Sequence, residues 1–211
     1  MIKRLILFGS PGSGKGTQAV MLSEHLKLSH ISLGDILRTE VKRDSELGRK
    51  VKNYMEQGKL VPDELVSSVV ESNLNNGGFI LDGYPRNFSQ AQKLEQILQD
   101  KDVDLDAVIY LHIDQKIIVD RLSKRRVCVS CGANYHLDNM PSKKDGVCDI
   151  CGDKLVQRKD DTPDVIMKRW KVFFQESKEI LDFYRDKKKL IEVDGAGNKD
   201  DVFDKIKSKL Q

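Results

Sequence analysis

The sequence predicts an α/β fold in which a parallel β-sheet carries helices on both of its faces. Two observations support this prediction. Segments of strand character alternate along the chain with segments whose apolar residues recur at helical spacing. Most of the strand segments are also continuous apolar runs, as expected when helices cover both faces of a sheet. Ligands of such sheets bind beyond the carboxyl ends of the strands, so a functional site is expected there.

Each predicted element has a local justification. Strands are assigned to short apolar runs bounded by turn residues, and helices to segments with helical periodicity, acidic first turns or a proline in the first turn. The predicted strands are 2–8, 30–32, 78–83, 107–113 and 190–195. The predicted helices are 15–26, 34–43, 46–56, 62–74, 89–99, 115–126, 162–187 and 199–210.

The composition is that of a globular protein without a membrane span. Hydrophobic residues make up 39% and charged residues 33% of the 211 residues, and the formal net charge is +3. The apolar runs are too short to cross a bilayer, and the first residues lack the long apolar core of a signal peptide. We therefore expect a cytoplasmic protein without membrane contact. The small net charge gives no general argument for nucleic-acid binding.

The segment GSPGSGKGT at 9–17 follows the first predicted strand and leads into the first predicted helix. Glycines allow the backbone to curl so that N–H groups face inward around an anion, and the helix N-terminus adds unpaired donors. Lys15 could then reach the terminal phosphates of a nucleotide. The segment differs from the general pattern G-x-x-x-x-G-K-[ST], because Gly16 stands at the hydroxyl position and Thr17 follows it. Strand, loop and helix in this order predict a nucleotide-phosphate site.

The cysteines form two C-x-x-C pairs within a short segment. They are Cys128, Cys131, Cys148 and Cys151. This spacing is typical of a structural zinc site, because each pair can form a turn that presents two thiolates to one ion. Four thiolates leave no open coordination position, which argues against a catalytic metal. The alternatives are a redox pair or disulfides, which a cytosolic location disfavours, and unliganded thiols.

Further residues match what phosphoryl transfer requires, which is alignment of the reactants and positive charge around the migrating group. Asp82 ends an apolar strand, where its carboxylate could hold Mg²⁺ directly or through water. Arginine suits phosphate because its guanidinium donates to two oxygens at once. Helical spacing predicts that Arg121 and Arg125 share one face of the helix at 115–126.

Taken together, these motifs resemble those of the adenylate kinases, within the nucleoside monophosphate kinases. The resemblance covers essentially the whole chain, and the four-cysteine segment is similar to the zinc-bearing lid of long-form bacterial members. It rests on GSPGSGKGT at 9–17, SLGDILR at 32–38, LDGYPR at 81–86, the arginines before the cysteines, RKDD at 158–161 and VDG at 193–195.

The resemblance implies a P-loop NTPase-like core at 1–31, 62–123 and 162–211, an inserted monophosphate-binding lobe at 32–61 and a small zinc-ribbon lid at 124–161. It implies a monomer that reversibly converts MgATP and AMP into two ADP. The implied ATP ligands are Gly12, Ser13, Gly14, Lys15, Gly16, Thr17, Arg121, Arg125 and Tyr135. The implied AMP ligands are Leu33, Arg38, Gly83, Arg86, Gln90, Arg158 and Arg169. The groups implied to act on the transferred phosphate are Lys15, Arg86, Arg125, Arg158 and Arg169.

Two alternatives to an AMP-specific kinase stay open at this point. Leu33 departs from the family pattern, because many members have Thr or Ser there, and Gln90 could pair with other bases if its amide were flipped. A kinase acting on UMP, CMP or GMP is therefore one alternative. The other is a P-loop protein that binds nucleic acid through its zinc ribbon, which the mixed charge and single aromatic residue of 127–152 disfavour. His136 is interpreted as a lid-packing or solvated residue.

Overall fold

The computed structural model describes residues 2–74 and 77–210. The strands are β1 Arg4–Gly9, β2 Ser29–Ser32, β3 Phe79–Asp82, β4 Ala107–His112, β5 Arg125–Cys128, β6 Asn134–His136, β7 Leu155–Val156 and β8 Leu190–Asp194. The helices are α1 Lys15–Leu26, α2 Leu33–Lys42, α3 Glu46–Glu56, α4 Asp63–Asn73, α5 Phe88–Asp100, α6 Gln115–Ser123, α7 Pro163–Asp186 and α8 Lys199–Leu210. Within these residues, no helix is both long enough and apolar enough to cross a membrane.

A parallel sheet with the strand order β2-β3-β1-β4-β8 lies at the centre of the fold. Strand β1 is its middle strand, because Leu5 pairs with Ile80 of β3 on one side and with Ala107 of β4 on the other. The predicted α/β class is confirmed. Since these strands run in the same direction, their carboxyl ends share one edge, and the loops that follow β1, β3 and β8 meet there.

Helices cover both faces of this sheet, as the continuous apolar strands predicted. Alternate side chains of a strand point to opposite faces. Leu5 and Leu7 belong to the apolar cluster that includes Leu22 of α1 and Ile206 of α8. Ile6 and Phe8 belong to the cluster that includes residues of α4, α5 and α7. Each fully buried aliphatic side chain contributes about 1.5–3 kcal/mol of transfer free energy, so the two layers hold the phosphate-binding end of β1 in place.

Helices α2 and α3 form a pair beside the carboxyl edge of the sheet. The first turn of α3 is capped by Ser45, whose Oγ accepts from the backbone N–H of Gly48 at 2.9 Å. A Cβ on Gly48 would overlap the backbone carbonyl of Glu40, so the close approach of the two helices depends on glycine at this position.

The segment after α6 is a small antiparallel sheet with the order β6-β5-β7. Here the predicted helix at 115–126 is wrong at its C-terminal end. Helix α6 ends at Ser123, and Arg125 already pairs with His136 as the first residue of β5. Arg121 and Arg125 therefore do not share a helix face. Residue spacing favoured a longer helix. The backbone N–H and C=O groups that would have continued it instead form the hydrogen bonds between β5 and β6.

Candidate functional site

The phosphate loop lies between the carboxyl end of β1 and the N-terminus of α1. Gly12 and Gly14 both have positive φ, at 79° and 93°. Gly14 is the N-cap of α1 and gives it no side-chain cap, so the first backbone N–H groups of the helix remain available to an anion. The hydroxyl oxygens of Ser10 and Ser13 are also buried without a hydrogen-bond partner in the described chain. A loop rich in unpaired donors is what a phosphate group would satisfy.

Lys15 lies at the start of α1 with its side chain folded over the loop. Its Nζ donates to the backbone carbonyl of Ser10 at 3.1 Å. Burial lowers the pKa of Lys15 to about 8, against the opposing effect of the Asp82 carboxylate. The positive charge of Arg86 lowers this pKa further. A cation held among other cations in a partly desolvated cleft is poised to bind a polyanion.

Asp82 brings a carboxylate to the same edge from the end of β3. The residue is 8% exposed, and its Oδ2 lies 3.7 Å from Nε2 of His30. A Cβ on Gly16 would lie 3.4 Å from the same oxygen, so Asp82 directly adjoins the phosphate loop. A hard oxygen ligand next to a phosphate site fits Mg²⁺, which binds through one or two carboxylates together with substrate phosphates and water.

Arginines from several elements converge on the cleft in front of this loop. They belong to the lobe, the loop after β3, α6, the lid and α7, and they are Arg38, Arg86, Arg121, Arg125, Arg158 and Arg169. Carboxylates balance them only in part, so the cleft has an excess of positive charge. Desolvation and the neighbouring charges of Arg38 and Arg125 lower the pKa of Arg158 to about 9. Mutual repulsion of this kind is relieved when an anion binds.

Arg86 lies in the loop that follows β3. Its Nε donates to the carbonyl of Gly83 at 2.8 Å, which directs the guanidinium along the cleft. Although the side chain still reaches solvent through the cleft, desolvation and the charges of Arg169 and Arg38 lower the pKa of Arg86 to about 10.

A buried carboxylate organises two of these arginines. Asp161 has no exposed surface, and it accepts from Nε and Nη2 of Arg125 at 2.8 and 2.6 Å. Nη1 of Arg169 lies 3.4 Å from the same carboxylate and 2.9 Å from Oδ2 of Asp160. Asp161 therefore pairs with arginines of both β5 and α7, and Asp160 pairs with the arginine of α7.

We expect Asp161→Asn to lower the free energy of unfolding by about 3 kcal/mol, because it leaves Arg125 partly buried without its counter-ion. Turnover should fall as well, since both arginines lose their fixed orientation. Urea unfolding and steady-state kinetics measure the two effects. Asp160→Asn is the matched control, and its cost should stay within about 1 kcal/mol because Asp160 is more exposed. Equal costs for the two variants would contradict the organising role of Asp161.

The lobe and the lid touch each other across the mouth of the cleft. Nζ of Lys42 in α2 donates to the carbonyl of Val129 in the lid at 2.9 Å. Nη2 of Arg158 lies 3.8 Å from Oδ1 of Asp35, which also accepts from Nη2 of Arg38 at 2.6 Å. The structure therefore has a closed cleft in which residues of both inserted segments face the phosphate loop.

Two of the predicted acceptor-site residues do not line this cleft. Leu33 is 1% exposed and packs in the apolar core at the start of α2. Gln90 is also 1% exposed, and its amide is hydrogen bonded inside the protein. Thr17 and Gly83 do line the cleft, as do the glycines of the phosphate loop.

The lid contributes Tyr135 and His136 to the cleft wall. The hydroxyl of Tyr135 is used within the lid, because it accepts from the backbone N–H of Asp149 at 2.8 Å and lies 3.5 Å from Sγ of Cys148. Nδ1 of His136 accepts from the backbone N–H groups of Asp138 and Asn139, both at 3.1 Å.

His136 thus carries its hydrogen on Nε2, and this atom is buried without a partner in the described chain. Burial also lowers the pKa of His136, which keeps the ring neutral. Sequence reasoning treated His136 as a packing or solvated residue and missed this unpaired donor. The alternation of strand β6 could have indicated only that His136 faces the side opposite Tyr135, because neighbouring side chains of a strand point to opposite faces.

The sulfur atoms of the four cysteines converge in the lid. All four lie within 4.8 Å of one another, with 3.3 Å between Cys128 and Cys151 and 3.6 Å between Cys131 and Cys148. All four cysteines are free, and both of these sulfur–sulfur distances exceed the length of about 2.05 Å that a disulfide bond has. A tetrahedral zinc ion with Zn–S bonds of about 2.3 Å would separate its sulfurs by about 3.8 Å. The arrangement therefore fits one ion with a closed ligand set.

The two cysteine turns have the same backbone geometry. Gly132 and Gly152 donate to the carbonyls of Cys128 and Cys148 at 3.2 and 2.9 Å, and both glycines have positive φ. A hydrogen bond from Tyr135 lowers the pKa of the Cys148 thiol, which favours the thiolate that a metal requires. The C-x-x-C spacing thus predicted both the turns and the convergence of the thiols.

Comparisons with known proteins give a consistent result. A family model described as adenylate kinase matches residues 7–189 of the chain. An adenylate kinase from Thermoanaerobacter sp. is 42% identical in an alignment of 211 positions that covers 98% of this chain and 97% of the relative. An adenylate kinase from Clostridium tetani is 42% identical in an alignment of 210 positions that covers 98% of this chain and 97% of the relative. An adenylate kinase from Finegoldia magna is 44% identical in an alignment of 212 positions that covers 99% of this chain and 99% of the relative.

Proposed function

This chain belongs to the adenylate kinase family, and from this premise we propose how its cleft performs the reaction. The protein is a phosphotransferase that reversibly moves the terminal phosphate of ATP to AMP and yields two ADP. The observation that carries our assignment of roles is the convergence of arginines from five parts of the chain on a phosphate loop with unpaired donors.

The phosphate loop and the lid hold the donor in our proposal. Backbone N–H groups of Gly12 to Thr17 surround the phosphates of ATP, and Lys15 reaches the terminal ones. Arg121 supports the nucleotide from α6, where its Nη2 donates to the carbonyl of Gly197 at 3.0 Å. Arg125 and the backbone around Tyr135 approach from the lid, since both line the cleft.

The lobe and the loop after β3 hold the acceptor. Arg38 and Arg86 bind the phosphate of AMP from two directions, while Gly83 allows close approach of the backbone. Arg158 and Arg169 reach into the same cleft from the lid and from α7, and in this proposal they contact the group in transfer. Gln90 and Leu33 contact the base, and they become accessible to it when the acceptor enters between the lobe and the core.

Catalysis by this arrangement is electrostatic. The reaction spreads negative charge over the oxygens of the migrating group, and Lys15 with the arginines stabilises that charge in an enclosed site from which water is excluded. Asp82 would hold Mg²⁺, which supplies neutralisation of the phosphate oxygens when ATP is bound. No side chain needs to become covalently linked to the phosphate.

We propose that the four cysteines bind zinc with a purely structural role. The lid has a small apolar cluster in which Cys128 and Cys148 are themselves the buried members beside Tyr135. So little apolar surface cannot stabilise a lid of this size alone, and a bound ion would supply the missing free energy of folding. No cysteine is among the described residues that line the cleft, so the ion would not take part in transfer.

Three functional parts follow from these roles. The core is 1–31, 62–123 and 162–211, the monophosphate-binding lobe is 32–61, and the lid is 124–161. All proposed site residues come from one chain, so a monomer is sufficient. We also propose a cytoplasmic location, because four reduced thiols persist in a reducing compartment.

A parallel assay of acceptors tests this function. We expect transfer from MgATP to AMP to exceed transfer to UMP, CMP and GMP by at least about 100-fold in kcat/KM. Preference for another monophosphate would keep the phosphate chemistry but overturn the base assignment of Gln90 and Leu33. Absence of transfer to every acceptor would contradict the proposed roles as a whole.

A further inference from the structure

A hydrogen-bond chain links the end of the lobe to the loop that carries Arg86. Asp63 is the first residue of α4, directly after the lobe, and Asn87 caps α5. Oδ1 of Asp63 accepts from Nδ2 of Asn87 at 2.9 Å and from Nε2 of Gln90 at 2.7 Å. Oε1 of Gln90 in turn accepts from the backbone N–H of Arg86 at 2.8 Å.

The chemistry of these partners permits one orientation of the Gln90 amide. A backbone N–H can only donate, so the atom that faces Arg86 must be the amide oxygen. An ionised carboxylate can only accept, so the atom that faces Asp63 must be the amide nitrogen. The same logic fixes Asn87, whose Oδ1 accepts from the backbone N–H of Gln90 at 2.8 Å. A flip of the Gln90 amide would place two donors together and two acceptors together.

The fixed amide keeps one acceptor position on Oε1 and one hydrogen on Nε2 without a partner among the described residues. Adenine offers an exocyclic amine that donates and a ring nitrogen that accepts, which is the complementary pair. A 6-oxopurine reverses both, because its oxygen accepts and its N1 donates. With the amide held in place, the 6-oxygen of an oxopurine in the same position would face Oε1 of Gln90, so that two acceptors meet. Its N1–H would face Nε2, so that two donors meet, and both mismatches are costly in a buried site.

We propose that Asp63 is a positioning residue that determines the preference for adenine at the acceptor site, by holding the Gln90 amide in one orientation. The inference rests on the proposed function, which assigns Gln90 to the acceptor base. It also accounts for Leu33, which has no polar side-chain atom. Without a hydroxyl at that position, discrimination between purines depends on an amide that cannot turn.

The test compares AMP with IMP, which differs from AMP at the 6-position and at the N1 hydrogen. We expect Asp63→Asn to reduce the ratio of kcat/KM for AMP to kcat/KM for IMP by about tenfold. The new amide can accept from Gln90 in its present orientation or donate to it after a flip, so the flip costs less. Glu64→Gln is the matched control, because it removes the same charge from the next, exposed residue of α4, and its ratio should match the wild-type ratio.

A double-mutant cycle separates positioning from general stability. In a Gln90→Met background, Asp63→Asn should leave the AMP to IMP ratio unchanged, because no amide remains to be oriented. Equal loss of activity with AMP and IMP in the single variant, or an undiminished shift in the Gln90→Met background, would overturn the proposal. A wild-type protein that used both acceptors equally would instead contradict the proposed function, and the inference with it.

If Asp63→Asn does not fold, Asp63→Ser allows the same comparison, since the serine hydroxyl can both donate and accept a hydrogen bond.

Discussion

Replacing Lys15 with alanine is expected to reduce kcat by about 1,000-fold, because the site loses the cation nearest to the unpaired donors of the phosphate loop. The fold should be preserved. Burial lowers the pKa of Lys15 to about 8, so the folded protein already disfavours its charged form, and removing it should not lower the melting temperature. Transfer from MgATP to AMP and thermal unfolding measure the two effects. Lys116→Ala, at an exposed position of α6, is the control and should leave kcat unchanged.

The pH dependence of the wild-type protein provides a second measure of the same group. The pKa of Lys15 lies near 8 in the free protein, so the amine loses its charge as the pH rises through that value. We expect kcat/KM for MgATP to fall above pH 8, while kcat changes less because bound phosphates raise the pKa of the amine.

For the Lys15→Ala variant, an unchanged kcat would show that this residue takes no part in the reaction.

Replacing Cys128 with serine is expected to release the zinc ion proposed for the lid and to lower the melting temperature by at least about 5 °C, because one of the four proposed thiolate ligands is lost. Turnover at low temperature should fall only modestly, since no cysteine is among the described residues that line the cleft. Elemental analysis and calorimetry test these expectations, and a chelator should produce the same change in the wild-type protein. Ser130→Ala lies in the same turn without supplying a ligand and is the control. Unchanged metal content and melting temperature would refute the structural-metal assignment.

The phosphate loop and the cysteine turns could be predicted because the residues that form each of them are close together in the sequence. Glycine spacing and one lysine specify the loop, and each C-x-x-C pair specifies a turn that brings two thiols together. The alternation of strands and helices likewise predicted the class of fold. The strand order β2-β3-β1-β4-β8 could not be derived in this way, because it depends on which distant segments pair.

The geometry of three residues was not predicted, because it depends on contacts that residue spacing does not reveal. Arg125 was assigned to a helix from its spacing, but pairing between β5 and β6 and the buried carboxylate of Asp161 place it on a strand. The orientation of Gln90 is equally invisible in the sequence, because Asp63 lies 27 positions away. Two backbone N–H groups that follow His136 donate to its Nδ1, so that the ring hydrogen lies on Nε2. Residue spacing alone does not reveal the turn that brings them there.

The boundary between lobe and lid has a consequence for the lifetime of the enclosed complex. It is held partly by exposed contacts, such as Lys42 with the carbonyl of Val129 and Lys159 with Glu56 at 3.6 Å. Contacts of this kind are worth at most about 1 kcal/mol each, which is close to thermal energy. In the proposed complex the nucleotide charges bridge the arginines, and after transfer these charges are divided between two products, so that the boundary is held by the contact of Arg158 with Asp35 and by the exposed contacts. Weak rim contacts therefore favour a short residence time, so that frequent reopening does not require a source of energy beyond thermal motion.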